Sequence, residues 1–145
     1  MNDQSNSPVT PPDAANATIA LMQSMLERRL YIENALSYTE GTHTFDDLVY
    51  MVLQCRLLWW PLPSSFMLTE VVTYPRVRHL NVFLAGGNLD EIRATQDQLI
   101  MVAKVQGCSA LSLSGRRGWV KALAKQGWKE SHTAMLLPIE DEANG

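Results

Sequence analysis

Residues 82–92 read VFLAGGNLDEI, an apolar run that passes through a Gly-Gly pair and an Asn into an acidic helix start. A strand that enters a helix through glycines is the local plan of many phosphate cradles, because the first backbone amides of the helix point at the anion. Ala85, Gly86, Gly87 and Asn88 are therefore the candidate cofactor-binding residues. Against that role stand Asp90 and Glu91, two carboxylates in the first turn, where a diphosphate would dock. At ~5 Å and an effective dielectric of about 20, each like-charge contact opposes binding by roughly 3 kcal/mol before screening. The expectation is a loop that turns a corner.

Proton chemistry has two candidates. Glu70 lies in the β-branched run SFMLTEVVTYP, where a carboxylate can act as general base, and Tyr74 closes the same run. The plainer account of Glu70 is a half-exposed strand carboxylate. His43, His79 and His132 have no ligand-like spacing to one another or to Cys55 and Cys108, so no metal site is expected. No GxSxG, HExxH or GKS/T signature is present. Arg116 and Arg117 begin a short helix, where positive charge opposes the macrodipole. Intramolecular carboxylates or simple exposure would account for them, as would acidic side chains of a partner or a nucleotide phosphate. Trp119 beside them is a candidate contact anchor, since Trp and Arg dominate interface hot spots.

The elements that must position these residues occupy 145 residues, enough for one core. The chain is 46% hydrophobic and 19% charged, with a formal net charge of −3. That balance suits a soluble globular domain and argues against a binder of nucleic-acid phosphates. No apolar run approaches the ~18 residues of a membrane span, and no signal pattern opens the chain, so a cytoplasmic protein is expected. The two cysteines read as half-buried thiols in a reducing compartment.

Residues 1–17 are polar and proline-rich, a flexible arm that is either an idle tail or a segment that orders on a partner. Residues 18–139 form the domain, and 140–145 an acidic tail. Its first helix is expected over 18–39, capped by Asn16 or Thr18, with two apolar stripes. One is Ile19, Met22, Leu26 and Leu30; the other is Leu21, Met25, Ile32 and Leu36. Two stripes imply contact on two sides, and the second is assigned to an interface with another chain, together with Arg116, Arg117 and Trp119. Thr44 caps a second helix, FDDLVYMVLQ. Then LLWWPLP, SFMLTEVVTYP and RHLNVFLAG read as three strands, the last two as a hairpin through TYPRVR. A long helix over 89–106 starts at Asn88 and stops at Gly107. A strand (CSALSLSG), a short helix ended by Gly127, and a last strand (WKESHTAMLLPI) complete the chain.

This order, with GCSALSLSGRRGWVKALAKQGWKE near its end, resembles the GNAT superfamily of acyl-CoA N-acyltransferases. The residues that carry the likeness are Gly107, Cys108, Leu111, Leu113, Leu123, Gly127 and Trp128, within residues 44–137. The resemblance implies an α/β (α+β) fold: a mixed, twisted sheet flanked by helices, here with an extra N-terminal helix. It implies that the strand near 78–85 runs parallel to the strand near 108–114, through a right-handed crossover. It also implies an Arg/Gln-x-x-Gly-x-Gly/Ala loop for the CoA pyrophosphate and a tyrosine that protonates the departing thiolate. Here the Arg/Gln is missing, the loop is several residues shorter, and Leu123 stands where the tyrosine would be.

Short GNAT-like domains with an eroded loop occur among proteins encoded by tailed bacteriophages, and this sequence resembles that group. So read, the resemblance implies a non-enzymatic protein-interaction domain, a virion-associated structural or assembly protein that uses no cofactor. Its partners would be other virion proteins or a second copy, in the host cytoplasm or the virion, with neither membrane nor nucleic acid involved. The alternative is an acetyl-CoA-dependent N-acetyltransferase with an atypical pyrophosphate loop.

Overall fold

The computed structural model describes residues 11–115, 117–132 and 134–140. They fall into two units, one ending at Ser114 and the other starting at Gly115. The first unit opens with α1 (Pro11–Glu27), α2 (Arg29–Leu36) and α3 (Phe45–Leu53). Helix α1 starts well before residue 18. Prolines cost little at the head of a helix, whose first amides have no intrahelical acceptor; Asp13 suits the dipole, and Ala14, Ala15 and Ala17 are strong helix formers. Residues 11–17 of the expected flexible arm are therefore helical, while residues 1–10 lie outside the described residues.

The helix expected over 18–39 is also broken, at Arg28, which leaves helical geometry at φ −109 and ψ 16. Its guanidinium is held by the preceding turn of α1 and by a carbonyl far along the chain. Nη1 donates to the Ser24 carbonyl at 3.0 Å, and Nε donates to the Leu62 carbonyl at 2.9 Å. Trp59 Nε1 donates to Ser24 Oγ at 2.9 Å, which ties the same joint to strand β1 (Leu58–Leu62). Helix α3 starts as expected. Thr44 and Asp47 form a reciprocal capping box, with Thr44 N donating to Asp47 Oδ2 at 2.8 Å and Asp47 N to Thr44 Oγ1 at 3.2 Å.

The sheet has four strands in the order β1-β2-β3-β4, with β2 at Ser65–Thr73, β3 at Arg78–Gly87 and β4 at Ala110–Leu113. The first two pairings are antiparallel and β3–β4 is parallel, as expected for strands joined through a helical crossover. Pro61 is tolerated because β1 is an edge strand. The β2–β3 hairpin closes with Tyr74 N donating to the Val77 carbonyl at 2.8 Å. Between β3 and β4 the expected single helix is again two, α4 (Leu89–Ala94) and α5 (Gln96–Val105). Buried Thr95 makes the joint: its hydroxyl donates to the Ile92 carbonyl at 2.6 Å and competes with the helical ladder. Helix α5 stops at Gly107, φ +74, where Cys108 N donates to the Ala103 carbonyl and Gly107 N to the Lys104 carbonyl.

One sheet face carries Phe66, Leu68 and Leu84 into a core with Met25, Ile32 and Leu48 of the first three helices. On the other face Met67, Leu80 and Val82 are buried beside α4 and α5, which bury Ile92, Leu99 and Ala103. The stripe assigned to a partner is thus corrected. Met25 and Ile32 are fully buried in the chain's own core, and Leu21 and Leu36 pack against it. The stripe left outside is Ile19, Met22, Leu26 and Leu30, the last 83% exposed. Helix period shows that two stripes exist; only the neighbouring sheet decides which one it takes.

In the second unit, α6 (Arg117–Ala124) buries Leu123 and ends before Gly127, φ +96. The last strand expected over 128–139 is absent among the described residues. Met135, Leu136, Leu137 and Ile139 are exposed there. An apolar run becomes a strand only when a ladder satisfies its backbone.

Candidate functional site

Strands β3 and β4 pair only from His79–Ala110 to Val82–Leu113. Beyond that pair β4 ends, while β3 continues to Gly87. Its edge from Phe83 to Gly87 therefore has no strand partner on the β4 side among the described residues. A bulge sits at the same place. Leu68 faces Leu84 and Thr69 faces Val82, so Phe83 is an extra residue on β3, which bends the strand where its neighbour stops. Phe83 and Leu84 both pack toward the α1–α3 core, and the His43 ring meets Phe83 edge-on at 5.0 Å.

A polar row crosses the sheet just before this fork. Glu70 on β2, Asn81 on β3 and Ser112 on β4 are cross-strand neighbours on one face. Asn81 Nδ2 donates to Glu70 Oε1 at 3.4 Å, and Ser112 Oγ donates to Asn81 Oδ1 at 3.0 Å. All three are half-buried. The long first contact leaves most of the carboxylate's accepting capacity open. Sequence reasoning found Glu70 and missed Asn81 and Ser112, because the register of a parallel pair leaves no local signal. Tyr74, the other proton-chemistry candidate, stands at the hairpin end of β3, edge-on to His79 at 5.2 Å, away from the fork.

The loop from Ala85 to Asn88 leads directly from β3 into α4. Asn88 Oδ1 accepts from Asp90 N at 2.9 Å and from Glu91 N at 3.2 Å. Asn88 N donates to the Ser64 carbonyl, and Ile92 N to the Asn88 carbonyl. The Glu91 carboxylate reaches the β1–β2 turn, accepting from Ser64 N at 2.8 Å and from Ser65 Oγ at 2.7 Å. Both glycines are explained by packing. A Cβ on Gly86 would lie 3.0 Å from Phe66 Cε1 and 3.2 Å from the Tyr31 carbonyl, and one on Gly87, φ +102, would lie 2.6 Å from Ser65 Cα. Ala85, beside them, pairs with Met67 across the sheet.

Of the remaining candidates, Arg116 lies outside the described residues, Arg117 opens α6, and Trp119 is half-buried within it. Cys55 is exposed rather than half-buried, at φ +60 after α3, and Cys108 is half-buried; neither forms a disulfide. The Asp47 carboxyl titrates below its ordinary range, held there by hydrogen bonds from the Thr44 backbone and hydroxyl and by nearby His43. Among the described residues no cluster of three or more His, Cys, Asp or Glu is placed to hold a metal, and no helix is long and apolar enough to cross a membrane.

No family model matches the chain, and no curated protein matches it in sequence. Solved structures do resemble it. A possible acetyltransferase from Clostridium difficile 630 matches with a TM-score of 0.52 and 8% identity, over 83% of this chain and 94% of the other. An acetyltransferase from Trypanosoma brucei matches with a TM-score of 0.51 and 10% identity, over 68% and 82%. A protein from Thermus thermophilus matches with a TM-score of 0.50 and 14% identity, over 70% and 85%. The fold is GNAT-like. At such identities the likeness reaches the fold and stops there.

Proposed function

We propose that this GNAT-like domain is an N-acyltransferase that receives an acyl thioester in the fork between β3 and β4, with Glu70 as the base. The observation that carries the reading is the fork itself, with a half-buried carboxylate row one residue before it. Ligands of open sheets with parallel strands bind beyond the carboxyl ends of those strands. The solved structures from Clostridium difficile and Trypanosoma brucei are described as a possible acetyltransferase and an acetyltransferase, which supports the same choice. Asn81 and Ser112 orient the Glu70 carboxylate. Glu70 accepts the proton that an attacking amine releases as its C–N bond forms and the donor's C–S bond breaks. Water protonates the departing thiolate.

The test pairs binding with turnover. A donor at 100 times its dissociation constant stabilises the folded state by about 2.7 kcal/mol, read as a rise in Tm. Glu70→Gln should keep that rise and slow acyl transfer to an amine by roughly 10²–10⁴-fold. No donor-dependent rise, or wild-type transfer by Glu70→Gln, would overturn the reading.

A second reading, a protein-interaction domain without an acyl donor, is favoured by the exposed stripe Ile19, Met22, Leu26 and Leu30. Its placement in a phage particle rests on the sequence resemblance alone. Deleting residues 1–17 should then leave Tm nearly unchanged, since the described side chains of 13–17 are exposed, while abolishing assembly with a partner chain or second copy in analytical ultracentrifugation. A truncated chain that assembles normally would refute it.

A further inference from the structure

We infer that the donor is recognised through its acyl-pantetheine arm alone, with the nucleotide diphosphate of a CoA thioester contributing nothing to affinity. This rests on the acyltransferase reading and names the donor chemistry of the same fork. Four backbone amides at the end of β3 and the start of α4 already have acceptors. Asp90 N and Glu91 N donate to Asn88 Oδ1, Asn88 N to the Ser64 carbonyl, and Ile92 N to the Asn88 carbonyl.

Two carboxylates flank the position. Asp90 is exposed with its side chain 3.7 Å from Arg93 Nη1, and Glu91 is clamped on Ser64 and Ser65. A Cβ added at Gly86 would meet Phe66 and Tyr31, and one at Gly87 would meet Ser64 and Ser65, so the backbone here lies close against α2 and the β1–β2 turn. Polyanion recognition is therefore closed at this helix start, while the Phe83–Gly87 edge remains for an amide-bearing arm that can add hydrogen bonds to a strand. The shared chemistry is an acyl-pantetheine thioester, carried by CoA, by a carrier protein's prosthetic arm, or free.

The experiment measures binding to the full chain by calorimetry for acetyl-CoA, S-acetylpantetheine, an acetylated carrier protein and 3′,5′-ADP. Acetyl-CoA and S-acetylpantetheine should bind within about threefold of each other, and 3′,5′-ADP should not compete. Asn88→Gly, which frees the Asp90 and Glu91 amides while glycine remains an acceptable cap, should shift preference toward acetyl-CoA by about threefold or more. Carrier-protein binding at least about tenfold tighter than S-acetylpantetheine assigns the natural source to a carrier, and comparable binding assigns it to a small thioester. Acetyl-CoA binding more than about tenfold tighter than S-acetylpantetheine, or competition by 3′,5′-ADP, overturns the inference and leaves the acyltransferase reading standing. An Asn88→Gly preference equal to wild type overturns the part assigned to Asn88. If no thioester binds, the acyltransferase reading falls, and this inference with it.

Discussion

Glu91→Ala is the sharpest test of the closed corner, because Glu91 serves a fully buried group. Ser65 is 0% exposed, and its hydroxyl donates to Glu91 Oε1 at 2.7 Å. Truncating Glu91 strands that hydroxyl, at a cost of about 1–3 kcal/mol. The Ser64 amide also loses its acceptor, but it lies at an exposed turn where water replaces the carboxylate, so its share stays below about 1 kcal/mol. The sum is roughly 1–4 kcal/mol, or about 3–16 °C in Tm for a chain of this size.

Ser65→Ala removes the donor with its need for an acceptor and should cost only about 1 kcal/mol. In the double variant the hydroxyl is no longer stranded, so its loss should fall short of the sum of the single losses by about 1–2 kcal/mol. Urea unfolding followed by circular dichroism supplies all the free energies of the cycle. Additivity within about 0.5 kcal/mol, or an unchanged Tm for Glu91→Ala, would show the carboxylate free of the turn and refute the reasoning.

The other perturbations probe different parts of the same domain. Gly87→Ala places a Cβ at φ +102 against Ser64 and Ser65 and should cost more than about 3 kcal/mol, whereas Gly86→Ala, meeting only Phe66, Ala35 and Tyr31 at 3.0–3.2 Å, should cost about 1–3 kcal/mol, both by urea midpoint. Met25→Ala, in the buried stripe, should lose about 2–5 kcal/mol, and Leu30→Ser, 83% exposed, within about 0.5 kcal/mol of nothing. Equal losses would remove the distinction between the stripes. The lowered Asp47 pKa stabilises the fold above the ordinary carboxylate value of about 4, and that contribution disappears as pH falls through the lower folded value. Asp47→Asn should therefore be less stable than wild type at neutral pH and converge with it in acid, seen as a flatter acid limb when the urea midpoint is followed from about pH 7 to about pH 2.

What the sequence determined by itself was local. Thr44, Asn88 and Gly107 could be placed because a cap depends on residues within one turn, and the three strands from 58 to 87 because alternation and turn residues are short-range signals. The parallel β3–β4 pair was what the resemblance to the GNAT superfamily implied. The Asn88 cap and the acidic first turn of Asp90 and Glu91 were legible too, because both are local signals.

Tertiary structure decided everything whose cause lies far along the chain. Helix α1 breaks from α2 where Arg28 donates to Leu62, thirty-four positions on, and no helix propensity contains that bond. Gly86 and Gly87 are glycines because Tyr31 and Ser64 press on them, and Glu91 is an anchor because the β1–β2 turn comes to it. Asn81 and Ser112 joined Glu70 only when the register of three strands was set. The outward and inward stripes of the first helices carry the same kinds of residue, and burial chose between them according to where the sheet stood. Residues 134–139 are apolar yet form no strand, because the hydrogen bonds that make a strand belong to its neighbour as much as to itself.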